Sequence, residues 1–225
     1  NNVPLPLSND AANQSVVLRV ADFNDPLSRG LSSSVKIQSV IDVTAPENNT
    51  IIVASGTQDY PIQWNITGWE AGDQVLVQYQ VGGGAWTNAE SNTAQPAASV
   101  SGANTFLWDV PTTQSVISNA IRVRVVDNGD PTNFNQSDQL FEIRAGLTVT
   151  SPIGNANPDL TETWLVGSTQ TIKWSLIGYM ATVKLQYKYD GGVFTQILGA
   201  TGLTATAGAT GWVWTIPDNI SNTAQ

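Results

Sequence analysis

The chain repeats itself at the length of a small domain. Val43-Thr44-x-Pro46 returns as Val149-Thr150-x-Pro152, Ile62-x-Trp64 as Ile172-x-Trp174, and Val75-x-Val77-x-Tyr79 as Val183-x-Leu185-x-Tyr187. Gly83-Gly84-x-Trp86-Thr87 returns as Gly191-Gly192-x-Phe194-Thr195, and Trp108-x-Val110-Pro111 as Trp214-x-Ile216-Pro217. Trp64 and Trp174 stand 110 residues apart, and Pro111 and Pro217 stand 106 apart. That period is longer than a solenoid repeat and equals a whole small domain. Such a chain reads as tandem copies of one module, which points toward architecture and away from a unique active site.

The second half of the middle copy finds its match at the start of the chain. Val123-Arg124-Val125-Val126-Asp127 pairs with Leu18-Arg19-Val20-Ala21-Asp22, and Phe141-Glu142-Ile143 with Val35-Lys36-Ile37. Residues 1–40 therefore read as the C-terminal strands of a partial module, 41–146 as a complete module, and 147–225 as the N-terminal part of a module lacking its last strands. Ile216-Pro217 through Gln225 re-reads Val3-Pro4 through Gln14. Two readings follow. Either the chain is a stretch of a longer tandem array, or its N-terminal strands complete the open C-terminal module of the next subunit by main-chain hydrogen bonding. Both name the same partner, neighbouring copies of the module or chain, arranged head-to-tail.

Periodicity is two almost throughout. Val75, Val77 and Tyr79 alternate with polar or outward positions, as do Val183, Leu185 and Tyr187. Ile121, Val123 and Val125 alternate with Arg122 and Arg124, which the pattern turns outward. Tyr189-Asp190-Gly191-Gly192 is a tight hairpin signal, and Gly82-Gly83-Gly84 holds the same place in the earlier copy. The middle copy predicts strands near Val43, before Gly56, and over 61–65, 74–80, 85–89, 105–109, 120–126 and 139–144. Short strands between Gly, Pro, Asn and Asp turns predict an all-β sandwich. Trp64 with Trp108, and Trp174 with Trp214, are the expected inward aromatics.

Thr161-Glu162-Thr163-Trp164-Leu165-Val166-Gly167-Ser168, Ile172-Lys173-Trp174, the strand from Val183 to Tyr187 with its Asp190-Gly191-Gly192 hairpin, and Trp214-Thr215-Ile216-Pro217 carry a resemblance. They resemble the immunoglobulin-like repeat of bacterial surface proteins, a repeat similar to the N-terminal domain of the fungal Kre9/Knh1 cell-wall proteins. The resemblance covers nearly the whole chain in permuted order and is closest in the third segment. The middle copy departs from it at Val53-Ala54-Ser55-Gly56, where the family has a Trp and a Gly-Ser turn. The resemblance implies tandem immunoglobulin-like β-sandwich modules, export to the cell surface or extracellular space, and no agreed catalytic residues.

Composition narrows function further. Charged residues are 12% of the chain, with 18 acidic against 9 basic side chains and a net charge of −9. That balance gives no electrostatic support for nucleic acid or an anionic membrane surface. Cysteine and histidine are both absent, which removes disulfides, thiol chemistry, imidazole metal sites and histidine triads. No stretch approaches the roughly 20 apolar residues of a membrane helix, so membrane insertion is not expected. Glu70, Glu90, Glu142 and Glu162 lie in different elements and form no paired-carboxylate site, so no enzyme is expected.

Two candidate sites remain. Asp22-x-x-Asp25-Pro26 and Asp127-x-x-Asp130-Pro131 each follow a valine-rich strand and enter a loop rich in oxygen side chains. Clustered carboxylates at a module end are one way to hold Ca²⁺, the only cofactor the sequence leaves open. An Asx-turn, in which the aspartate serves its own loop, accounts for the same spacing. Trp69, Trp86 and Trp164 do not fall at clear inward positions. Exposed tryptophans stack on sugar rings, so Trp69 and Trp164 are the candidate glycan contacts of an alternative function, a carbohydrate-binding module for cell-wall or extracellular glycan. Packing across the hairpin explains Trp86 equally well. The leading expectation is a structural segment of a long bacterial surface or extracellular protein, built as a fibre.

Overall fold

The computed structural model describes residues 15–47, 49–68, 74–89, 95–96, 101–154, 162–189 and 191–218. The chain is all-β: among the described residues the regular elements are strands apart from short 3₁₀ turns such as Gln114–Val116 and Ala205–Ala209. Among the described residues no helix is long and apolar enough to cross a membrane. The opening segment carries β1 (Ser15–Val16), β2 (Arg19–Ala21), β3 (Arg29–Leu31) and β4 (Val35–Lys36). Then follow β5 (Val40–Ala45), β6 (Ile51–Val53), β7 (Gln58–Thr67), β8 (Gln74–Val81), β9 (Thr87–Asn88), β10 (Gln95–Pro96), β11 (Ser101–Asp109), β12 (Ser118–Asp127), β13 (Phe134–Gln136) and β14 (Phe141–Arg144). The last stretch holds β15 (Gly146–Ser151), β16 (Thr169–Ile177), β17 (Thr182–Val183), β18 (Gln186–Tyr187), β19 (Thr195–Gln196), β20 (Leu203–Thr204) and β21 (Trp212–Thr215).

The described residues fall into two compact units, one within Asn1–Ile52, Thr57–Val110 and Ser118–Glu142, the other within Val53–Gly56, Pro111–Ile117 and Ile143–Gln225. In the first unit, β5, β7 and β11 form one sheet in the order β11-β7-β5. A larger sheet runs β10-β8-β12-β14-β6, with β13 paired to β12 and β9 to β8. Alternation explains both. Ile62, Trp64 and Ile66 on β7 and Ile121, Val123 and Val125 on β12 are fully buried, while the residues between them are less so. The two sheets meet where Tyr79 of β8 and Trp108 of β11 bring their rings to 5.0 Å between centroids. Phe141 on β14 is buried as well.

In the second unit, β15-β16-β21 form a sheet, and β17 pairs β20 while β18 pairs β19. The interior is smaller: Ile172, Ile197 and Ala200 are buried, with Trp164, Leu185, Tyr187, Leu203, Trp212 and Trp214 packed partly buried against them. Trp174 is buried, and its indole N–H donates to the Ala205 carbonyl at 2.7 Å. The adjoining 3₁₀ turn passes so close that a Cβ on Gly208 would fall 2.3 Å from the Trp174 carbonyl oxygen. Trp64, Trp108 and Trp174 take the inward positions the sequence indicates, whereas Trp214 is only half-buried. In the first unit β12 lies along β8 beside the Tyr79–Trp108 pair. No described strand lies along β17–β18 in that way.

The repeated sequence segments carry the same hydrogen-bond registers. Val43 opposes Trp64 as Val149 opposes Trp174, and both ladders shift register just after that valine. Ile62 opposes Phe106 as Ile172 opposes Trp212. Gln78 opposes Asn88 as Gln186 opposes Gln196. The Tyr187–Trp214 ring pair, 5.1 Å between centroids, matches the Tyr79–Trp108 pair.

The opening hairpin follows suit. Val20 opposes Gly30 as Val125 opposes Asn135, and Ser32 N donates to Leu18 O as Ser137 N donates to Val123 O, each at 2.9 Å. The surroundings differ. Val123 and Val125 are fully buried, but Leu18 is 61% and Val20 78% exposed. Replacing Ile121 by Ala should therefore cost about 2–5 kcal/mol, and Leu18→Ala no more than about 0.5 kcal/mol. Denaturant unfolding of dilute protein checks the contrast, and equal losses would show that the hairpin face is covered.

Candidate functional site

The two aspartate loops are built alike. Asp22 Oδ1 accepts from the backbone N–H groups of Asn24 (2.8 Å) and Asp25 (2.9 Å). Asp127 Oδ1 accepts from those of Gly129 (2.9 Å) and Asp130 (3.2 Å). Each loop closes with matching backbone bonds, Asp22 N to Ser28 O and Asp127 N to Asn133 O. These are Asx-turns: the carboxylate satisfies donors that the turn would otherwise leave open. The two backbone bonds hold the Asp22 carboxyl below its ordinary pKa. The structure brings Asp22 together with Asp25, and Asp127 with Asp130, in two loops. Among the described residues, no three acidic side chains are grouped closely enough to hold a metal ion.

Asp130 has a further task. Its Oδ2 accepts from Lys36 Nζ at 2.5 Å and from Gln38 Nε2 at 2.7 Å, and its Oδ1 from the Thr132 hydroxyl at 2.7 Å. The carboxylate is nearly buried, at 8% exposure, while Lys36 is 43% exposed. Beside it, Asn133 Nδ2 donates to the Ser39 hydroxyl at 2.7 Å. Residues just before β5 are thus tied to the β12–β13 loop by charge-assisted bonds. The Lys36 bond, then the Thr132 hydroxyl, hold the Asp130 carboxyl well below the usual carboxylate range.

Trp69 lies outside the described residues. Trp164 is half-buried; its indole N–H donates to Glu162 Oε1 at 2.8 Å and its ring meets Trp214 edge-on at 6.3 Å. Its polar edge and part of its ring are thus engaged within the protein. Trp86 takes the packing alternative: the Arg124 guanidinium lies 4.4 Å from its ring centroid, and Arg124 Nε donates to Gln78 Oε1 at 2.8 Å. This cation–π pairing across β8 and β12 was not apparent in the sequence. The repeat did hold a signal for it, because Arg19, Gln186 and Phe194 occupy the equivalent places.

The largest unexplained feature is the opening hairpin. Leu18, Val20, Val35 (48% exposed) and Ile37 (38%) match Val123, Val125, Phe141 and Ile143, all at 2% or less. In the second unit, Val183, Leu185 and Tyr187 are only half-buried, whereas Val75 and Val77 are buried. The chain thus shows an apolar hairpin face and an apolar strand that are each covered in the middle copy. No family model matches the chain, and no curated protein or solved structure matches it.

Two outcomes are expected from the loops. Asp130→Asn should lower stability by about 1–2 kcal/mol at neutral pH. A depressed carboxyl stabilises above its unfolded pKa of roughly 4 and loses that contribution as pH falls. The gap between wild type and variant should therefore shrink on acidification below about pH 4 in paired unfolding curves; a constant gap would remove the ionised carboxylate from the account. Calcium followed by EDTA should leave the melting temperature unchanged if Asp22 and Asp127 serve only their turns, and a reversible rise would assign these loops to the ion.

Proposed function

We propose that the chain is a non-catalytic structural segment of a long bacterial cell-surface or extracellular protein. In this reading its segments are immunoglobulin-like β-sandwich modules in tandem, and copies join head-to-tail into a fibre by strand complementation. The observation that carries the reading is the contrast between Leu18 and Val20, largely exposed, and Val123 and Val125, fully buried at the same places of the same hairpin. An exposed apolar face of this kind is a liability unless a partner covers it. Strands whose backbone edges are open offer that partner a ladder of hydrogen bonds.

The shared registers support the tandem reading, because the open strand and the exposed hairpin follow one template. The task is mechanical: each module, once completed by its partner, buries a core, and the ties from Lys36 and Gln38 to Asp130 restrain the passage into β5. A polar, acidic exterior, with a net charge of −9, limits unwanted edge association.

Sedimentation velocity over a rising concentration series tests this. Wild type should populate species larger than one chain, while Leu18→Glu, changed at an exposed site, should remain a single folded chain with an unaltered circular dichroism spectrum. A wild-type chain that stays single at several hundred micromolar would end the fibre reading.

A further inference from the structure

We propose a specific register and a specific polar clamp for the contact between copies, an inference that rests on the assembly reading above. The occupant of the open edge of β17–β18 is β1–β2 of a second copy, antiparallel, with Leu18 opposite Tyr187 and Val20 opposite Leu185. The Arg19 guanidinium of the incoming strand then lies over the Phe194 ring and its Nε donates to Gln186.

Each half of this contact is already formed. In the middle copy β12 pairs β8 with Val123 opposite Tyr79, Arg124 opposite Gln78 and Val125 opposite Val77. The donor half is preset: β2–β3 holds the register of β12–β13, down to Ser32 Oγ accepting from Leu18 N (2.9 Å) as Ser137 Oγ accepts from Val123 N (3.4 Å). The acceptor half is preset as well. Ile197 N donates to Leu185 O as Ala89 N donates to Val77 O, and Gly192 N to Tyr189 O as Gly84 N to Val81 O. Superimposing the two halves on the β8–β12 ladder leaves one pairing. A slip of one residue would turn Leu18 and Val20 away from the Tyr187–Trp214 face. A slip of two would keep the apolar face inward but part Arg19 from Phe194.

The clamp is what separates those last two cases. Arg124 lies against Trp86 and bonds Gln78. Arg19 is exposed, and Phe194 is 57% exposed with Lys188 Nζ at 5.1 Å from its ring centroid. The ring therefore already attracts a cation, and an arginine delivered by the second copy, a planar group that can stack and donate at once, would take the lysine's place. Apolar burial would drive the contact, and Arg19 would fix its register.

The absence of cysteine makes the test clean. Two single variants, Val20→Cys and Leu185→Cys, are mixed and oxidised, so that a mixed disulfide reports only contact between copies. Directly opposed residues lie within disulfide reach, about 4.5–5.5 Å between Cα atoms, and residues two places off do not. The expected result is a mixed dimer from Val20→Cys with Leu185→Cys and little from Val20→Cys with Tyr187→Cys. In parallel, Arg19→Ala at its exposed site should weaken assembly about tenfold, with Arg19→Lys in between. Equal yields from both mixtures, or unchanged assembly by Arg19→Ala, would overturn the register and clamp while leaving the fibre intact. Failure of wild type to associate at all would instead remove the assembly reading beneath them.

Discussion

The structure depends on one requirement: a strand with alternating apolar residues has a face that only a second sheet can cover. In the middle copy that cover is present. Tyr79 reaches across to Trp108, and Ile121, Val123 and Val125 are fully withdrawn from solvent. Fully burying a side chain of this size is worth about 1.5–3 kcal/mol, so a hairpin with several such residues has much to gain from a facing sheet. The opening hairpin repeats the backbone of β12–β13 almost bond for bond and gains little of that burial. Local sequence sets the hairpin and its register; the surroundings set whether it contributes to a core.

Much of this was legible from residue order. The period of two located β7, β8, β11, β12 and β14, and the inward tryptophans Trp64, Trp108 and Trp174 followed from the same alternation. Elements that residue order does not show have non-local causes. Strand β13 carries no apolar alternation; it is placed by the Asp127 turn that precedes it. The seat of Trp174 depends on Gly208, more than thirty residues away along the chain, whose missing side chain admits the turn against the indole. Trp214 is only half-buried although its counterpart Trp108 is fully buried, a contrast that no local pattern states.

The candidate chemistry divides in the same way. The spacing Asp-x-x-Asp was visible, and it suits both an Asx-turn and an ion site; the hydrogen bonds describe the turn in both copies. The role of Arg124 was hidden, because a cation placed between a glutamine of the neighbouring strand and an aromatic beyond it is defined only once the ladder is known. With that ladder known, the repeat itself identifies Arg19, Gln186 and Phe194 as the equivalent trio.

The tie between Lys36 and Asp130 acts within one compact unit. A chain segment without such ties bends freely, governed by chain entropy. Here an ammonium and an amide grip one nearly buried carboxylate, so the stretch leading into β5 is pinned to the β12–β13 loop. That hold is firm in dilute buffer and looser in brine, because the exposed lysine is open to screening.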